Sequence, residues 1–271
     1  VPLLLMNARL SNKSLGRYLL FKNFTSNMFN KFEKICAQSE ADHTNFKKLT
    51  RTNIDVTGNT KFDFPISKKK LSLSKALKKE LNISNQILVV AGSTRKGEEK
   101  VILDCFKNLK IKNLILILVP RHPQRFEEVE NLIASKNFPF AKRSNFKKSD
   151  QPPSIILGDT MGELRAYYEL ADLVILGGSI KKFGAQNPIE PLSLGKPTII
   201  GPSIYNFQDV IQKAENHNLI YRLHNLKDLD LLVKKIIALK QKAIKQQNLK
   251  DFLRKESGAS QRLADIVNQF L

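Results

Sequence analysis

The chain has 271 residues, 45 Lys+Arg against 25 Asp+Glu, and 42% hydrophobic residues, giving a formal charge of +20. This apolar content with 16 Phe excludes wholesale disorder, and no run approaches the roughly 18 uninterrupted apolar residues of a membrane-spanning helix. Two cysteines, Cys36 and Cys105, stand alone in apolar surroundings, which argues against a disulfide framework or a zinc cluster and for a reducing compartment.

The chain opens at Val1-Pro2-Leu3-Leu4-Leu5 with neither Met nor a basic stretch before the apolar run, so it reads as the middle of a longer protein. Short strands are expected at Leu3–Met6, Ile35–Gln38 and Ile54–Val56, with a helix through Ser14–Phe29. These look like the last units of one α/β domain, residues 1–65. Phe62–Lys70, with Pro65 and three lysines, reads as a linker.

From residue 66 to 271 strand-length apolar runs alternate with helical stretches, the pattern of a doubly wound parallel sheet. The strands are Ile87–Ala91, Leu114–Val119, Ile155–Leu157, Leu173–Leu176 and Thr198–Ile200. The helices fall near Glu98–Leu109, Pro123–Ser135, Gly162–Leu170 and Phe207–Asn216.

Lysines gather at Lys68, Lys69, Lys70, Lys75, Lys78 and Lys79, and again at Lys234, Lys235, Lys240, Lys242, Lys245 and Lys250. In the second group Leu232, Val233, Ile236, Ile237 and Ile244 keep helical spacing, which makes the lysines the wet face of an amphipathic helix. A surplus of 20 positive charges points to an anionic partner, of which a membrane surface is one. No aromatics interleave with the lysines as in single-strand nucleic-acid binders, so no nucleic-acid partner is expected.

Open parallel sheets bind ligands beyond the carboxyl ends of their strands. Four such ends carry polar or glycine-bearing loops. Gly92-Ser93-Thr94 is a candidate phosphate loop, with a capping role for Ser93 or Thr94 as the alternative. It is neither a Walker loop nor a dinucleotide fingerprint. Pro120-Arg121-His122 sets a guanidinium suited to phosphate in the same crevice. Gly158-Asp159-Thr160-Met161-Gly162-Glu163 runs into a helix, where Glu163 alone would read as a dipole partner. Gly177-Gly178-Ser179 is followed by Asn187-Pro188-Ile189-Glu190, where Glu190 can accept from two ribose hydroxyls. Together they predict a nucleotide site.

These residues also carry a family likeness. Asn7-Ala8-Arg9-Leu10-Ser11, Val56 to Asp63, Ala91 to Thr94, Val119 to Pro123, Asp159 to Leu164 and Asn187 to Pro191 follow in this order. The set resembles the 3-deoxy-D-manno-octulosonic acid (Kdo) transferases of lipopolysaccharide synthesis, from Asn7 to about Asp209. Arg95 and Ala185 depart from it, standing where the family often has His and Gly.

The resemblance implies a GT-B-type glycosyltransferase. It implies one complete Rossmann-like donor domain, 66–271, and, in 1–65, the tail of an acceptor-side domain. CMP-Kdo is the implied donor and a lipid A precursor the acceptor, with no cofactor and no metal. CMP contacts carry over to Pro120, Arg121, Met161, Gly162, Glu163, Asn187, Pro188, Ile189 and Glu190. The family's general base precedes the Asn-Ala-Arg-Leu-Ser motif, so it is expected upstream of Val1, and this chain alone is expected to be inactive. The implied location is the cytoplasmic face of the inner membrane. Another GT-B transferase or epimerase, and a non-catalytic nucleotide-binding remnant, are the alternatives.

Overall fold

A computed structural model of the chain describes residues 1–63, 68–147, 153–238 and 246–271. Lys240, Lys242, Ile244 and Lys245, and the central part of the expected linker with Pro65, lie outside the described residues. The remaining linker ends are ordered elements, a 3-10 turn at Thr60–Asp63 and a helix beginning at Lys68.

The chain divides into two units. The first comprises Val1–Pro65 together with Lys250–Leu271, and the second Ile66–Leu249. The expected second domain of 66–271 is therefore corrected at its end.

In the first unit β1 (Leu4–Ala8), β2 (Lys34–Ala37) and β3 (Asn53–Val56) form a parallel sheet in that order. Helices α1 (Asn12–Leu20), α2 (Lys22–Phe29) and α3 (Glu40–Lys47) connect them. Ser11 caps α1 by accepting from the Ser14 N–H, and Ser39 caps α3 by accepting from the Asp42 N–H. The single helix expected over Ser14–Phe29 is broken at Phe21 (φ −121°, ψ 44°). There the Phe21 N–H turns to the Tyr18 carbonyl at 3.2 Å. The Thr25 hydroxyl bonds the carbonyls of Tyr18, Phe21 and Lys22. Such back-bonding competes with the helix ladder and bends it. Helix α3 leaves no apolar pattern in the sequence because its residues, Glu-Ala-Asp-His-Thr-Asn-Phe-Lys, are mostly polar and only Asp42, Asn45 and Phe46 are buried.

The end of the chain returns to this unit for reasons that lie in the Thr57-to-Asp63 string. The Arg262 Nε donates to the Thr57 carbonyl at 2.8 Å. Gly58 holds φ +87°, and a Cβ there would meet the Arg262 guanidinium at 2.9 Å. Phe62 packs edge-on to Phe252 with centroids 5.7 Å apart. Asp63 accepts from the N–H groups of Gly258 (2.6 Å) and Ser260 (2.5 Å) at the start of the last helix. This capping of orphan donors explains why the motif joins the terminus.

In the second unit α4 (Lys68–Glu80) precedes β4 (Ile87–Thr94), α5 (Glu98–Leu109), β5 (Leu114–Pro120), α6 (Phe126–Ser135), β6 (Phe140–Lys142), β7 (Ile155–Leu157), α7 (Leu164–Leu170) and β8 (Leu173–Leu176). Then come α8 (Ile189–Ser193), β9 (Thr198–Ile200), α9 (Gln208–Asn216), β10 (Tyr221–Arg222) and α10 (Leu229–Ala238). Helix α11 (Gln246–Glu256) begins in the second unit and passes at Lys250 into the first, to which α12 (Ala259–Asn268) belongs.

The sheet order is β10-β9-β8-β4-β5-β7-β6, parallel throughout. Alternate residues of the central strands enter different cores. Val89, Ala91, Leu116 and Leu118 pack with α5, α6 and α10, whereas Leu88, Val90, Ile115 and Ile117 pack with α4 and α7. Burial on both faces is what made these strands legible as unbroken apolar runs. The edge strands β6 and β10 are short and only half-buried, so they carry no such signal. Helix α7 begins at Leu164 instead of Gly162, because Gly162 sits at φ +84°. Cys36 and Cys105 are both buried and free, and burial pushes the Cys105 thiol up to about 12. No described helix is long and apolar enough to cross a membrane.

Candidate functional site

The chain runs outward from β4 to β5 in one direction and resumes on the other side of β4 with β8. This reversal opens a crevice at the carboxyl ends of β4 and β8. The loops after β8, β4, β5 and β7 therefore stand in one row.

The β4 and β8 ends approach by backbone. A Cβ on Gly177 would lie 2.2 Å from the Ser93 carbonyl oxygen. Behind them, Gly92 leaves room for the Tyr168 hydroxyl, which would be 2.1 Å from a Cβ. Thus Gly92 is a packing glycine. Thr94 is buried, with its hydroxyl unpartnered among the described residues. Ser93, at φ +55°, is the part of the candidate phosphate loop that reaches the surface. Neither hydroxyl caps α5, whose N-cap is Gly97.

Glu98, which the sequence reading passed over, organises this side. Its side chain is fully buried and accepts from the N–H groups of Arg95 (2.8 Å), Gly178 (2.7 Å), Ile180 (2.9 Å) and Lys181 (3.0 Å). Burial pushes the carboxyl up, with the four N–H groups pulling the other way. The donors of the β8 loop are thereby committed to a carboxylate of the chain itself. Its sequence signal was a second acid at a helix start, Glu98-Glu99, where dipole duty asks for only one. The neighbouring Glu99 is also buried and takes a bidentate pair from Arg125 at 2.7 and 3.1 Å.

On the β5 side Pro120 ends the strand, and the Arg121 N–H donates to the Thr94 carbonyl at 3.0 Å. Arg121 and His122 are exposed. An Arg95 Nη1 lies 2.6 Å from His122 Nε2, and its guanidinium carbon is 4.9 Å from the Phe183 ring centroid. Desolvation and the guanidiniums of Arg95, Arg121 and Arg125 hold the imidazole below its ordinary pKa.

At α8, Asn187 Oδ1 accepts from the Ile189 N–H at 3.2 Å and its Nδ2 donates to Glu190 at 3.3 Å. Pro188 occupies the N-cap position, and Ile189 is buried core. Glu190 is half-buried, and its charge adds to the burial that raises the Tyr168 phenol. Gly92 and Tyr168 are thus in contact, with the Glu190 charge within electrostatic reach of the phenol.

Glu163 belongs to a different group. Its carboxylate takes bonds from the Arg143 Nε (3.1 Å) and Nη2 (3.0 Å), the Tyr167 hydroxyl (2.7 Å) and the Thr160 hydroxyl. Burial would raise it, but these donors prevail and hold it below the usual carboxylate range. Met161 is 64% exposed and Gly162 has open space around it. The turn therefore offers Met161 and the backbone to a ligand, with Glu163 as its inner support. No group of three metal-ligating side chains occurs among the described residues. A groove of about 570 Å³ in the first unit is lined by residues such as His43, Asp55 and Arg262, and by none of the loop residues that follow β4, β5, β7 or β8.

Comparison with known proteins fits this geometry. Residues 1–64 match the family model described as 3-deoxy-D-manno-octulosonic-acid transferase (kdotransferase). The chain is 31% identical over 277 residues to the Haemophilus influenzae 3-deoxy-D-manno-octulosonic acid transferase, covering 100% of this chain and 65% of that protein. It is 34% identical over 230 residues to a Fusobacterium nucleatum bifunctional glycosyltransferase/methyltransferase, covering 83% of this chain and 36% of that one. The chain spans less than two thirds of each.

Among solved structures, the C-terminal CMP-Kdo binding domain of WaaA from Acinetobacter baumannii aligns with a TM-score of 0.63 at 27% identity, covering 69% of this chain and 99% of that one. Anabaena HepE in complex with UDP and glucose aligns with a TM-score of 0.58 at 17% identity, covering 98% of this chain and 71% of that one. The fold is that of GT-B glycosyltransferases.

Proposed function

We propose that this chain, which belongs to the 3-deoxy-D-manno-octulosonic acid transferase family, carries the donor side of Kdo transfer. Residues 66–249 bind CMP-Kdo at the strand-end row, and the acceptor is a lipid A precursor of lipopolysaccharide synthesis. The observation that supports this best is Arg121, an exposed guanidinium on the same crevice as Glu190, in a unit of the CMP-Kdo-binding fold.

In the reaction a hydroxyl of the acceptor attacks the anomeric carbon of Kdo, and CMP leaves. Arg121 meets the growing charge on the departing phosphate, the kind of fixed electrostatic help that lowers such barriers. Glu190 accepts from the ribose hydroxyls, with Asn187 holding its carboxylate at 3.3 Å. The Met161-Gly162 turn borders the nucleotide, and its shape is kept by Glu163. Pro120, Pro188 and Ile189 shape the wall without polar contact. A carboxylate must take the hydroxyl proton. We assign that role to no residue of the row, since Glu98 and Glu163 are consumed by internal bonds.

Calorimetric titration tests the donor assignment: CMP and CMP-Kdo should bind and UDP-sugars bind poorly. Tighter binding of UDP-GlcNAc than of CMP would overturn it.

We further propose peripheral attachment to the cytoplasmic face of the inner membrane. Besides the lysines of α4 and α10, the turn between α1 and α2 supports this reading. Leu20, Phe21 and Phe24 are 77%, 72% and 73% exposed, and the stretch from Ser11 to Phe32 that holds them carries Lys13, Arg17, Lys22 and Lys31 and no acidic residue. Exposed aromatic and aliphatic side chains in a basic stretch suit an anionic lipid interface. Co-sedimentation with anionic vesicles should fall when Phe21 and Phe24 are both changed to Asp, and binding unaffected by that change would remove the turn from the reading.

A further inference from the structure

We infer that Arg95 is the residue that recognises the carboxylate of the donor sugar, an inference that rests on the donor reading above. A CMP-linked octulosonic acid carries two anions, the phosphodiester and the sugar's own carboxylate. The crevice offers two guanidiniums from adjacent strand ends, Arg95 after β4 and Arg121 after β5.

Three contacts fix Arg95. Its N–H is held by Glu98 at 2.8 Å, its Nη1 meets His122 Nε2 at 2.6 Å, and its guanidinium lies 4.9 Å over Phe183. Because an arginine can only donate, His122 Nε2 is the acceptor and its ring proton sits on Nδ1. A neutral imidazole is consistent with the cations around it, which keep its pKa low.

The third guanidinium nearby, Arg125, is neutralised by Glu99 and Glu128. Arg95 and Arg121 have no carboxylate partner among the described residues. The two free cations therefore await anions from outside the chain, and the nearby β8-loop donors are already filled by Glu98. A guanidinium stacked on a ring and tethered at Nη1 still presents the Nε and Nη2 donors, a planar pair that matches a carboxylate. A neutral sugar offers nothing to that fork. Arg95 would thus select acid sugars, while Arg121 handles the phosphate common to any CMP donor.

The test is titration of the full chain with CMP and with freshly prepared CMP-Kdo. Arg95→Gln should weaken CMP-Kdo about tenfold or more, the loss expected for a charged hydrogen-bonded pair, and leave CMP within about threefold. Arg121→Ala should weaken both ligands. Arg95→Lys, which keeps charge and loses the fork, should fall between wild type and Arg95→Gln for CMP-Kdo, and it also serves if the Gln variant fails to fold. Equal loss for both ligands, or no loss for CMP-Kdo, would overturn the role of Arg95 while leaving the donor reading intact. A wild-type chain that binds neither ligand would bring down the donor reading, and this inference with it.

Discussion

The two sides of the strand-end row treat charge in opposite ways. On the β8–β4 side a glycine-rich loop full of N–H donors is answered from within by Glu98. On the β4–β5 side Arg95 meets only an imidazole and a ring, and neither it nor Arg121 has a carboxylate partner among the described residues. A glycine-bearing loop after a parallel strand is commonly read as an anion cradle. Here the chain's own carboxylate fills it, and the capacity for an external anion moves one strand over, to side chains.

Glu163 adds a contrast. Both carboxylates are held inside, but Glu98 is met by peptide dipoles and shifts up, whereas Glu163 is met by a guanidinium and hydroxyls and shifts down. At fully buried Glu98 desolvation outweighs the four N–H groups, whereas at the less buried Glu163 the Thr160 and Tyr167 hydroxyls and the Arg143 guanidinium together outweigh it.

The largest effect should come from breaking the closed side. Glu98→Ala strands the buried N–H groups of Gly178 and Ile180, and should cost roughly 3 kcal/mol at about 1–3 kcal/mol for each unsatisfied buried group. Denaturant unfolding measures it, and a loss below about 1 kcal/mol would mean that the loop relaxes to water.

Next, Arg121→Ala and Glu190→Ala should each weaken CMP by about 1–3 kcal/mol, the scale of a charged hydrogen bond. Cytidine, without the phosphate, should be nearly indifferent to the arginine change. Unchanged CMP affinity in a folded Glu190→Ala protein would return that residue to service within α8.

A pH series sharpens the contrast between the two acids. The lowered Glu163 carboxyl contributes stability that is present above the unfolded-state value of about 4.3 and lost as pH falls through the folded-state value. Glu163→Gln should therefore destabilise by about 2 kcal/mol at pH 7 and approach wild type in acid. Glu98 has the opposite sign. Its raised value means that its contribution falls as pH rises from the unfolded-state value through the folded-state one. A Glu163→Gln deficit that stays constant down to pH 3 would contradict the assignment.

The smallest effect concerns Ala185, held at φ +68° in a buried turn where its N–H reaches the Gly178 carbonyl at 2.6 Å. An L-residue there is strained by about 1 kcal/mol, so Ala185→Gly should raise the melting temperature by about 2–4 °C. No gain would show that the turn has adapted to the methyl.

The central strands and the four loops were legible in the sequence because burial on both faces writes uninterrupted apolar runs, and Gly, Pro and charged residues mark their ends. Edge strands such as Tyr221–Arg222 bury too little to leave a pattern. The roles of Glu98 and Tyr168 were illegible for another reason: each acts on a loop distant in the chain, Glu98 on residue 178 and beyond and Tyr168 on Gly92. The return of Lys250–Leu271 to the first unit was hidden likewise, since the carboxylate of Asp63 does its capping almost two hundred residues downstream.

That last feature bears on biosynthesis. The first unit is discontinuous, with all of 66–249 lying between its two segments. On the ribosome the second unit emerges as one uninterrupted stretch and can fold as it appears. The first unit must wait, with Phe62 uncovered and Asp63 without its helix, until residues Lys250–Leu271 are made. Closing so long a loop costs entropy, which grows only slowly with its length. Translation errors or stop codons within Lys250–Leu271 would therefore damage the first unit and spare the second.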